Sequence, residues 1–222
     1  MSTKPYYEQD GITIYHGDCR EVLPSLPTDT VVVTDPPYGL GFPYLSYEDT
    51  QANLIMLIDA IRPRLSCRAI VLCGPTQIHL FPPTAWVACV TWDTTGSFGK
   101  RGYSQWTPVL CYGDDISGFG NVNGTTKSDV LRITGGGGVG FQRDEQERQH
   151  TCPKPLNLMR KVIQRFVAAG EWVLDPFMGS GTTLVAAKVM GHRAIGIELE
   201  EKYCEIAAKR LSQGALNLEM GE

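Results

Sequence analysis

The stretch WVLDPFMGSGTT, residues 172–183, decides the fold class of this chain. It begins with a short apolar strand at residues 172–174, passes through a turn that contains Gly179 and Gly181, and enters a segment with helical spacing. A strand, a glycine turn and a helix in this order let a ligand approach the backbone at the N-terminus of the helix. Such a unit indicates an α/β fold with a parallel sheet.

The residues around this turn restrict the ligand that it can bind. No Lys follows the glycines, which excludes a P-loop, and the third glycine of a dinucleotide-binding turn is missing. Asp175 just before the turn repels pyrophosphate but suits a cation, such as the sulfonium and amine of S-adenosylmethionine. Glu198 follows Gly179 by 19 residues, close to the offset of ~20 at which an acid contacts ribose hydroxyls. Taken alone, the two glycines are also compatible with a purely structural turn.

The rest of the chain alternates between strand and helix patterns. Apolar, β-branched runs predict strands at residues 12–15, 31–34, 69–73, 86–92, 108–112 and 194–197. Apolar residues at helical spacing predict helices at residues 54–65, 156–167, 180–190 and 200–211. Residues 113–150 lack periodicity, as do many functional loops and linkers. We predict a mostly parallel, twisted sheet with helices on both faces.

A second motif, Asp35-Pro36-Pro37-Tyr38, ends the predicted strand at residues 31–34. Open α/β sheets carry their sites at this end of the strands. The Asp35 carboxylate and the Pro36 carbonyl can each accept an N–H bond from an exocyclic amine on a base, which localises the nitrogen lone pair and stabilises the developing positive charge. Tyr38 offers a stacking face for a base taken out of a duplex. A simple strand-ending turn is the alternative, because Asp-Pro and Pro-Pro are common breakers.

Charge is distributed unevenly along the chain. The net charge is −4, but residues 95–165 carry +4 and the remainder carries −8. A basic patch on an acidic body is compatible with phosphate contacts, and an ordinary solvated surface is the alternative. The candidates for phosphate contacts are Lys100, Arg101, Arg143 and Arg148.

Composition excludes several other classes of protein. The seven cysteines and four histidines are widely spaced without a C-x-x-C pair, which argues against a disulfide framework and a metal site. No apolar run approaches the roughly 18 to 20 residues of a membrane span, and the N-terminus lacks the pattern of a signal peptide. We therefore expect a soluble, cytoplasmic protein without a bound metal.

Together the two motifs resemble those of the DNA amino-methyltransferases, the N6-adenine and N4-cytosine enzymes that use S-adenosylmethionine. The tetrapeptide precedes the cofactor turn DPFMGSGTT, as in the β-type permutation of that family. The resemblance implies a Rossmann-like methyltransferase fold with permuted motif order, formed by residues 1–222 as one domain. Residues 113–150 would be a short target-recognition insertion within it. Small enzymes of this form resemble those of phages and mobile elements, which points to a bacterial or phage-infected host cell.

The resemblance also assigns roles to residues. It implies catalytic roles for Asp35, Pro36, Pro37 and Tyr38. It implies S-adenosylmethionine binding by Asp18, Asp35, Lys154, Asp175, Phe177, Gly179, Ser180, Gly181, Thr182 and Glu198. Asp18 would lie near the adenine of the cofactor, Glu198 near its ribose and Lys154 near its methionine part.

The substrate implied by the resemblance is double-stranded DNA with a flipped target base. Asp at the first position of the tetrapeptide resembles the adenine enzymes, whereas cytosine-N4 relatives more often carry Ser, although the chemistry permits both bases. RNA, protein glutamine and a binding-only role remain as alternatives. The short insertion suits either a short recognition sequence or help from a second subunit in a homodimer.

Overall fold

The computed structural model describes residues 4–92, 97–99, 102–113, 128–133 and 154–213, with residues 92, 97–99 and 102–104 described by their backbone alone. The strands are β1 (Tyr7–Gln9), β2 (Ile12–His16), β3 (Thr30–Thr34), β4 (Ala69–Leu72), β5 (Trp86–Trp92), β6 (Ser97–Gly99), β7 (Gly102–Ser104), β8 (Trp106–Tyr112), β9 (Val130–Ile133), β10 (Trp172–Asp175) and β11 (Ala194–Glu198). The helices are α1 (Cys19–Val22), α2 (Gln51–Leu65), α3 (Leu156–Phe166), α4 (Thr182–Val189) and α5 (Glu201–Ser212), with 3₁₀ turns at Leu23–Ser25 and Ile78–Leu80.

Nine of the described strands form one sheet in the order β1-β2-β11-β10-β3-β4-β8-β5-β9. The centre, from β2 to β4, is entirely parallel. Strand β8 runs antiparallel to both of its neighbours, β4 and β5, and β1 runs antiparallel to β2. Because parallel strands end at the same edge, the residues after β2, β11, β10 and β3 meet at one edge of the sheet.

The sheet is buried on both faces, which explains its continuous apolar strands. In β3, Val31 and Val33 pack on one face against α3, α4 and α5, while Val32 packs on the other face against α1 and α2. This architecture confirms the predicted α/β fold with a mostly parallel sheet and helices on both faces. Within the described residues, no helix is long and apolar enough to cross a membrane.

The structure corrects the sequence analysis at several short elements. Strand β9 lies inside residues 113–150, which we expected to be irregular, and it pairs in parallel with β5. The glycine-rich link between β5 and β8 contains the hairpin of β6 and β7. Strand β1 was also not expected. Each of these strands has only three or four residues, too few for a periodic pattern, so pairing with a neighbouring strand defines them.

Candidate active site

A cavity of about 480 Å³ lies at the edge of the sheet where β2, β11, β10 and β3 end. Its volume is in the range of small-molecule and cofactor sites. The predicted site residues that line it are Asp18, Asp35, Pro37, Lys154, Asp175, Phe177, Gly179, Ser180, Thr182 and Glu198. Pro36, Tyr38 and Gly181 are not part of its lining. The fold therefore brings residues from both motifs to one cavity.

The glycine turn after β10 requires its glycines. Gly179 and Gly181 have φ angles of +52° and +79°, in the region that residues with a Cβ rarely adopt. A Cβ on Gly181 would lie 2.7 Å from the Cβ of Ala207 in α5, so the close approach of α5 also excludes a side chain. The turn thereby brings the N-terminus of α4 to the cavity.

Arg210 of α5 holds this turn from inside the protein. Its Nη1 donates to the Ser180 carbonyl oxygen over 2.8 Å and to the Thr182 hydroxyl over 3.2 Å. The hydroxyls of two predicted cofactor residues thus have an internal partner, since Ser180 Oγ also lies 3.3 Å from the same nitrogen. Sequence reasoning missed Arg210, although it lies on the apolar face of α5, seven residues after Tyr203.

Asp175 is buried at the end of β10. Its Oδ1 accepts hydrogen bonds from the Thr34 hydroxyl over 2.6 Å and from the Phe177 amide over 3.1 Å. Burial raises the pKa of Asp175 to about 6, and these donors oppose the shift. Thr34 ends β3 and was not singled out by sequence reasoning, because its contact with Asp175 arises only from the pairing of β3 with β10.

Glu198 ends β11 and receives two backbone amides. Gly179 N donates to its Oε2 over 2.9 Å, and Glu200 N donates to its Oε1 over 2.8 Å. Burial raises the pKa of Glu198 to about 7, against these hydrogen bonds. The carboxylate thus fixes the position of the glycine turn.

Asp18 lines the cavity where β2 ends, and it is the N-cap of α1. It accepts from the Arg20 backbone N–H over 2.8 Å, and the Arg20 guanidinium reaches its Oδ2 at 2.5 Å. The hydrogen bond from the Arg20 side chain lowers the pKa of the Asp18 carboxyl. Asp18 therefore stays ionised next to the cavity. Arg20, which sequence reasoning did not identify, determines the orientation of this carboxylate.

The cavity as a whole is acidic. Its charged lining consists of Asp18, Asp35, Glu48, Asp175, Glu198 and Glu200, with Arg20 and Lys154 as the cations. Both cations are ion-paired with an acid of the same lining, Arg20 with Asp18 and Lys154 with Asp35. A site of this charge favours a cation such as the sulfonium and amine of S-adenosylmethionine and disfavours pyrophosphate.

The tetrapeptide forms a compact polar cluster with Lys154. The Tyr38 hydroxyl donates to Asp35 Oδ1 over 2.7 Å, and Lys154 Nζ lies 3.0 Å from Asp35 Oδ2. Lys154 Nζ also donates to the Tyr38 hydroxyl over 3.1 Å and lies 5.0 Å from the centroid of its ring. Burial, followed by the charge of Asp35, raises the pKa of Tyr38 well above its usual range. Lys154 thus contacts the tetrapeptide itself.

Asp49 organises the chain that follows the tetrapeptide. Its buried carboxylate accepts backbone hydrogen bonds from Gly39 over 2.7 Å, Leu40 over 3.0 Å and Phe42 over 2.9 Å. Three backbone donors on one carboxylate define the path of the loop as it leaves Tyr38. No motif pointed to Asp49, because its role depends on the folding of the loop around it.

The four candidates for phosphate contacts, Lys100, Arg101, Arg143 and Arg148, lie outside the described residues. The same holds for most of the predicted recognition insertion at residues 113–150, of which residue 113 and residues 128–133 are described. These assignments therefore stay predictions.

Residues 93–209 match the N6/N4 methyltransferase family, which is described as DNA methylase. The match covers more than half of the chain and includes the cofactor turn. The chain belongs to the N6/N4 DNA methylase family. The tetrapeptide precedes the matched residues, so its catalytic role stays a prediction.

This DNA methylase is similar to individual members over nearly its whole length. It is 27% identical to Type II methyltransferase M.ScaI of Streptomyces caespitosus in an alignment 265 positions long, gaps included, which covers 97% of this chain and 86% of that protein. A shorter segment is 44% identical to Type II methyltransferase M.HinfI of Haemophilus influenzae over 70 residues, 32% of this chain and 20% of that protein.

Solved structures share the fold of this DNA methylase. The complex of M1.HpyAVI with S-adenosylmethionine superimposes with a TM-score of 0.67 at 23% identity, over 90% of this chain and 98% of that one. The PvuII DNA methyltransferase, described as cytosine-N4-specific, gives a TM-score of 0.71 at 18% identity, over 94% and 89% of the two chains. S-adenosylmethionine is the methyl donor of the family, and the acidic cavity fits its positive charge.

Proposed function

We propose that this DNA methylase transfers the methyl group of S-adenosylmethionine to the exocyclic N6 of adenine in double-stranded DNA, with the target base flipped out of the duplex. The observation that carries the proposal is the position of Asp35, whose carboxylate lines the same cavity as Asp175 and Glu198. A group that accepts the target amine and the groups suited to the cofactor thus share one space at the ends of neighbouring strands.

The cofactor would be held from one end of the cavity to the other. Asp18 would lie near the adenine and Glu198 would accept from the ribose hydroxyls. Asp175, which lines the cavity, would face the positive charge of the methionine part. When bound, S-adenosylmethionine supplies a methyl group on a sulfonium, which a nitrogen lone pair can attack.

The tetrapeptide would prepare the target amine. An exocyclic amine is a poor nucleophile because its lone pair is delocalised into the ring. Asp35 and the Pro36 carbonyl would each accept one N–H bond, which localises the lone pair and stabilises the positive charge that develops on attack. Pro36 and Pro37 would keep these acceptors aimed, and Tyr38 would stack on the flipped base. The proton would leave to water afterwards, and no cysteine nucleophile is needed.

Lys154 supports this arrangement in a way that sequence reasoning did not foresee. Its ammonium and the Tyr38 hydroxyl contact different oxygens of the Asp35 carboxylate. Each oxygen retains a further lone pair for the N–H of an incoming amine. The cluster thus presents Asp35 in one orientation before the base arrives, which is the preorganisation that electrostatic catalysis requires.

We favour adenine over cytosine as the target base because the first residue of the tetrapeptide is Asp, and the resemblance associates Asp at this position with the adenine enzymes. Cytosine-N4 methylation is the second candidate, because both bases present an NH₂ group next to a ring nitrogen. RNA, protein glutamine and a binding-only role are less favoured.

Type II methyltransferases among the relatives favour a place in restriction-modification, in the cytoplasm of a bacterial or phage-infected cell. Lys100, Arg101, Arg143 and Arg148 are the proposed phosphate contacts, and a homodimer would extend a short recognition insertion.

The test is mass spectrometry of nucleosides from the DNA of a methylation-deficient bacterial host that expresses the protein. An Asp35→Ala variant, shown to be folded and to bind S-adenosylmethionine, serves as the control. We expect N6-methyladenine with the intact protein and none with the variant. Detection of N4-methylcytosine instead would leave the proposed mechanism intact but would identify cytosine as the target base. If neither methylated base is found although the protein is folded and binds the cofactor, the result would contradict DNA as the substrate.

A further inference from the structure

The chain between the tetrapeptide and α2 forms a strap, residues 39–48, that is firmly held at both ends. The buried Asp49 carboxylate holds its first residues by three backbone hydrogen bonds, as described above. At the other end, the Asn53 side chain of α2 donates to the Glu48 carbonyl over 2.7 Å. The Tyr47 ring packs against the core next to α1 and α2. Both ends of the strap are therefore anchored to the body of the protein.

The tip of the strap, residues 43–46, is held more lightly than its ends. An isolated antiparallel bridge between Pro43 and Glu48 closes the tip, and the Tyr44 ring packs against rings of the strap itself. The Leu45 side chain is 69% exposed, the highest value among the large apolar side chains of the described residues. A segment with little buried apolar surface opens at a low cost in free energy. The tip therefore opens more readily than the anchored ends.

A hydrogen bond joins the tip to the chain that follows β11. Ser46 N donates to Glu200 Oε1 over 2.6 Å. The strap starts after β3, and β10 lies between β3 and β11 in the sheet, so the strap passes the end of β10, where the glycine turn begins. Glu200 is the N-cap of α5, but its side chain makes no capping hydrogen bond. Its carboxylate is therefore available to the strap.

The strap forms part of the wall of the cavity. Tyr44, Ser46, Tyr47 and Glu48 line the cavity from the strap, and residues 175–180 line it from the glycine turn. A ligand that fills the cavity therefore contacts both the strap and the turn that we expect to hold S-adenosylmethionine. A wall with a lightly held tip is suited to admit and release such a ligand, as the lids of other enzymes do.

We propose that the strap is a gate for S-adenosylmethionine and that the hydrogen bond between Ser46 N and the Glu200 carboxylate is its latch. The latch joins two groups of the protein and needs no ligand, so it holds the tip both before and after the cofactor binds. Entry and exit of the ligand both require that this bond break. The inference rests on the assignment of the cofactor and is independent of the methylated base.

The test uses Glu200→Ala, which removes the acceptor of the latch, and Glu201→Ala as its matched control. Glu201 carries the same charge, but it is exposed and does not line the cavity. On the strap, Ser46→Pro removes the donor, whereas Ser46→Ala keeps the backbone N–H. Stopped-flow fluorescence without DNA measures the association and dissociation rate constants, kon and koff, of S-adenosylmethionine and S-adenosylhomocysteine. Calorimetry measures Kd, and urea unfolding shows that each variant is folded.

We expect the latch to control the rates of binding and not the affinity. Glu200→Ala should raise both kon and koff about tenfold, the lower end of what a hydrogen bond to a charged group contributes. The Kd of both ligands should stay within threefold of the wild type. Ser46→Pro should exceed Ser46→Ala in both rates by a similar factor, without a change in charge. Glu201→Ala should leave both rates within twofold of the wild type.

Three results would overturn the proposal. The first is an unchanged kon and koff in Glu200→Ala. The second is a rise in koff and Kd with an unchanged kon, which would make Glu200 a direct contact of the ligand. The third is an effect that is confined to S-adenosylmethionine or shared by Glu201→Ala, which would indicate a loss of negative charge near the site. A wild-type protein that binds neither ligand would overturn the cofactor assignment as well, whereas an unexpected methylated base would leave this inference intact.

Discussion

The ammonium nitrogen of Lys154 lies 3.0 Å from the Asp35 carboxylate and 3.1 Å from the Tyr38 hydroxyl. The two side chains of the ion pair are about one-fifth exposed, 19% for Lys154 and 23% for Asp35. A cation so close to a partly buried carboxylate fixes the orientation of its oxygens. Lys154 therefore acts on the group that we propose receives the target amine, in addition to any contact with the cofactor.

Replacement of Lys154 by Met should slow methylation more than it weakens cofactor binding. We expect kcat to fall about tenfold or more, because the carboxylate loses one of the two groups that orient it. The Kd of S-adenosylmethionine should change less than threefold, and Lys154→Arg should recover part of the rate. Single-turnover methylation and calorimetry measure the two quantities. A large rise in Kd with an unchanged rate would assign Lys154 to the cofactor alone.

Two threonines of β3 should respond oppositely to the same substitution. Thr34 donates to the buried carboxylate of Asp175 over 2.6 Å, whereas the buried Thr30 hydroxyl has no partner among the described residues. At pH 8, Thr34→Val should lower the free energy of unfolding by about 1.5–3 kcal/mol, the contribution of a hydrogen bond to a charged group. Thr30→Val should leave it unchanged or raise it. Urea unfolding measures both, and equal losses would contradict the assignment.

Affinity for S-adenosylmethionine should rise with pH between about 6 and 7. Burial raises the pKa of Asp175 to about 6 and that of Glu198 to about 7, so both carboxyls gain protons below these values. A cationic ligand favours the ionised forms, and its binding at pH 6.5 should release protons. Calorimetry in buffers of different ionisation enthalpy counts these protons. A Kd that is constant from pH 6 to pH 8 would show that neither carboxyl faces the ligand.

The same two groups should make the ligand-free protein less stable at high pH. Their ordinary pKa values are 3.8 for Asp175 and 4.5 for Glu198, so the folded protein binds more protons than the unfolded chain between about pH 4 and 7. The stabilisation from both groups is complete below pH 4 and is lost as the pH rises through about 7. Urea midpoints across this range measure the loss. Saturating S-adenosylmethionine should reduce it, since ligand binding stabilises the form in which the carboxyls are ionised.

Alanine substitutions at two glycines with nearly equal φ angles should distinguish the cost of backbone strain from the cost of steric overlap. Gly181 has a φ of +79° and Gly191 a φ of +76°, but only at Gly181 would a Cβ meet another atom, Ala207 Cβ at 2.7 Å. Gly191→Ala should cost about 1 kcal/mol, the usual penalty of a left-handed alanine. Gly181→Ala should cost clearly more and should also weaken cofactor binding, because α5 and the turn must separate. Equal losses of stability would mean that α5 adapts easily.

Local sequence patterns were sufficient to predict those parts of the fold and the site that consist of neighbouring residues. The apolar runs predicted the central strands, because a strand buried on both faces must be apolar throughout. The glycine turn and Asp35-Pro36-Pro37-Tyr38 were recognisable because each is defined by neighbouring residues. Strand β9 escaped this reasoning, since four residues at an edge become a strand only by pairing with β5.

The sequence by itself thus determined the α/β class, the two motifs and the acidic character of the site. Tertiary structure alone decided which side chains complete it. Thr34 reaches Asp175 because β3 lies next to β10, Lys154 reaches Asp35 although the two are distant in the chain, and the Ser46 amide donates to Glu200 although the two are 154 residues apart. Each of these contacts joins residues far apart in sequence. Their formation depends on the order of strands in the sheet, and no local pattern encodes that order.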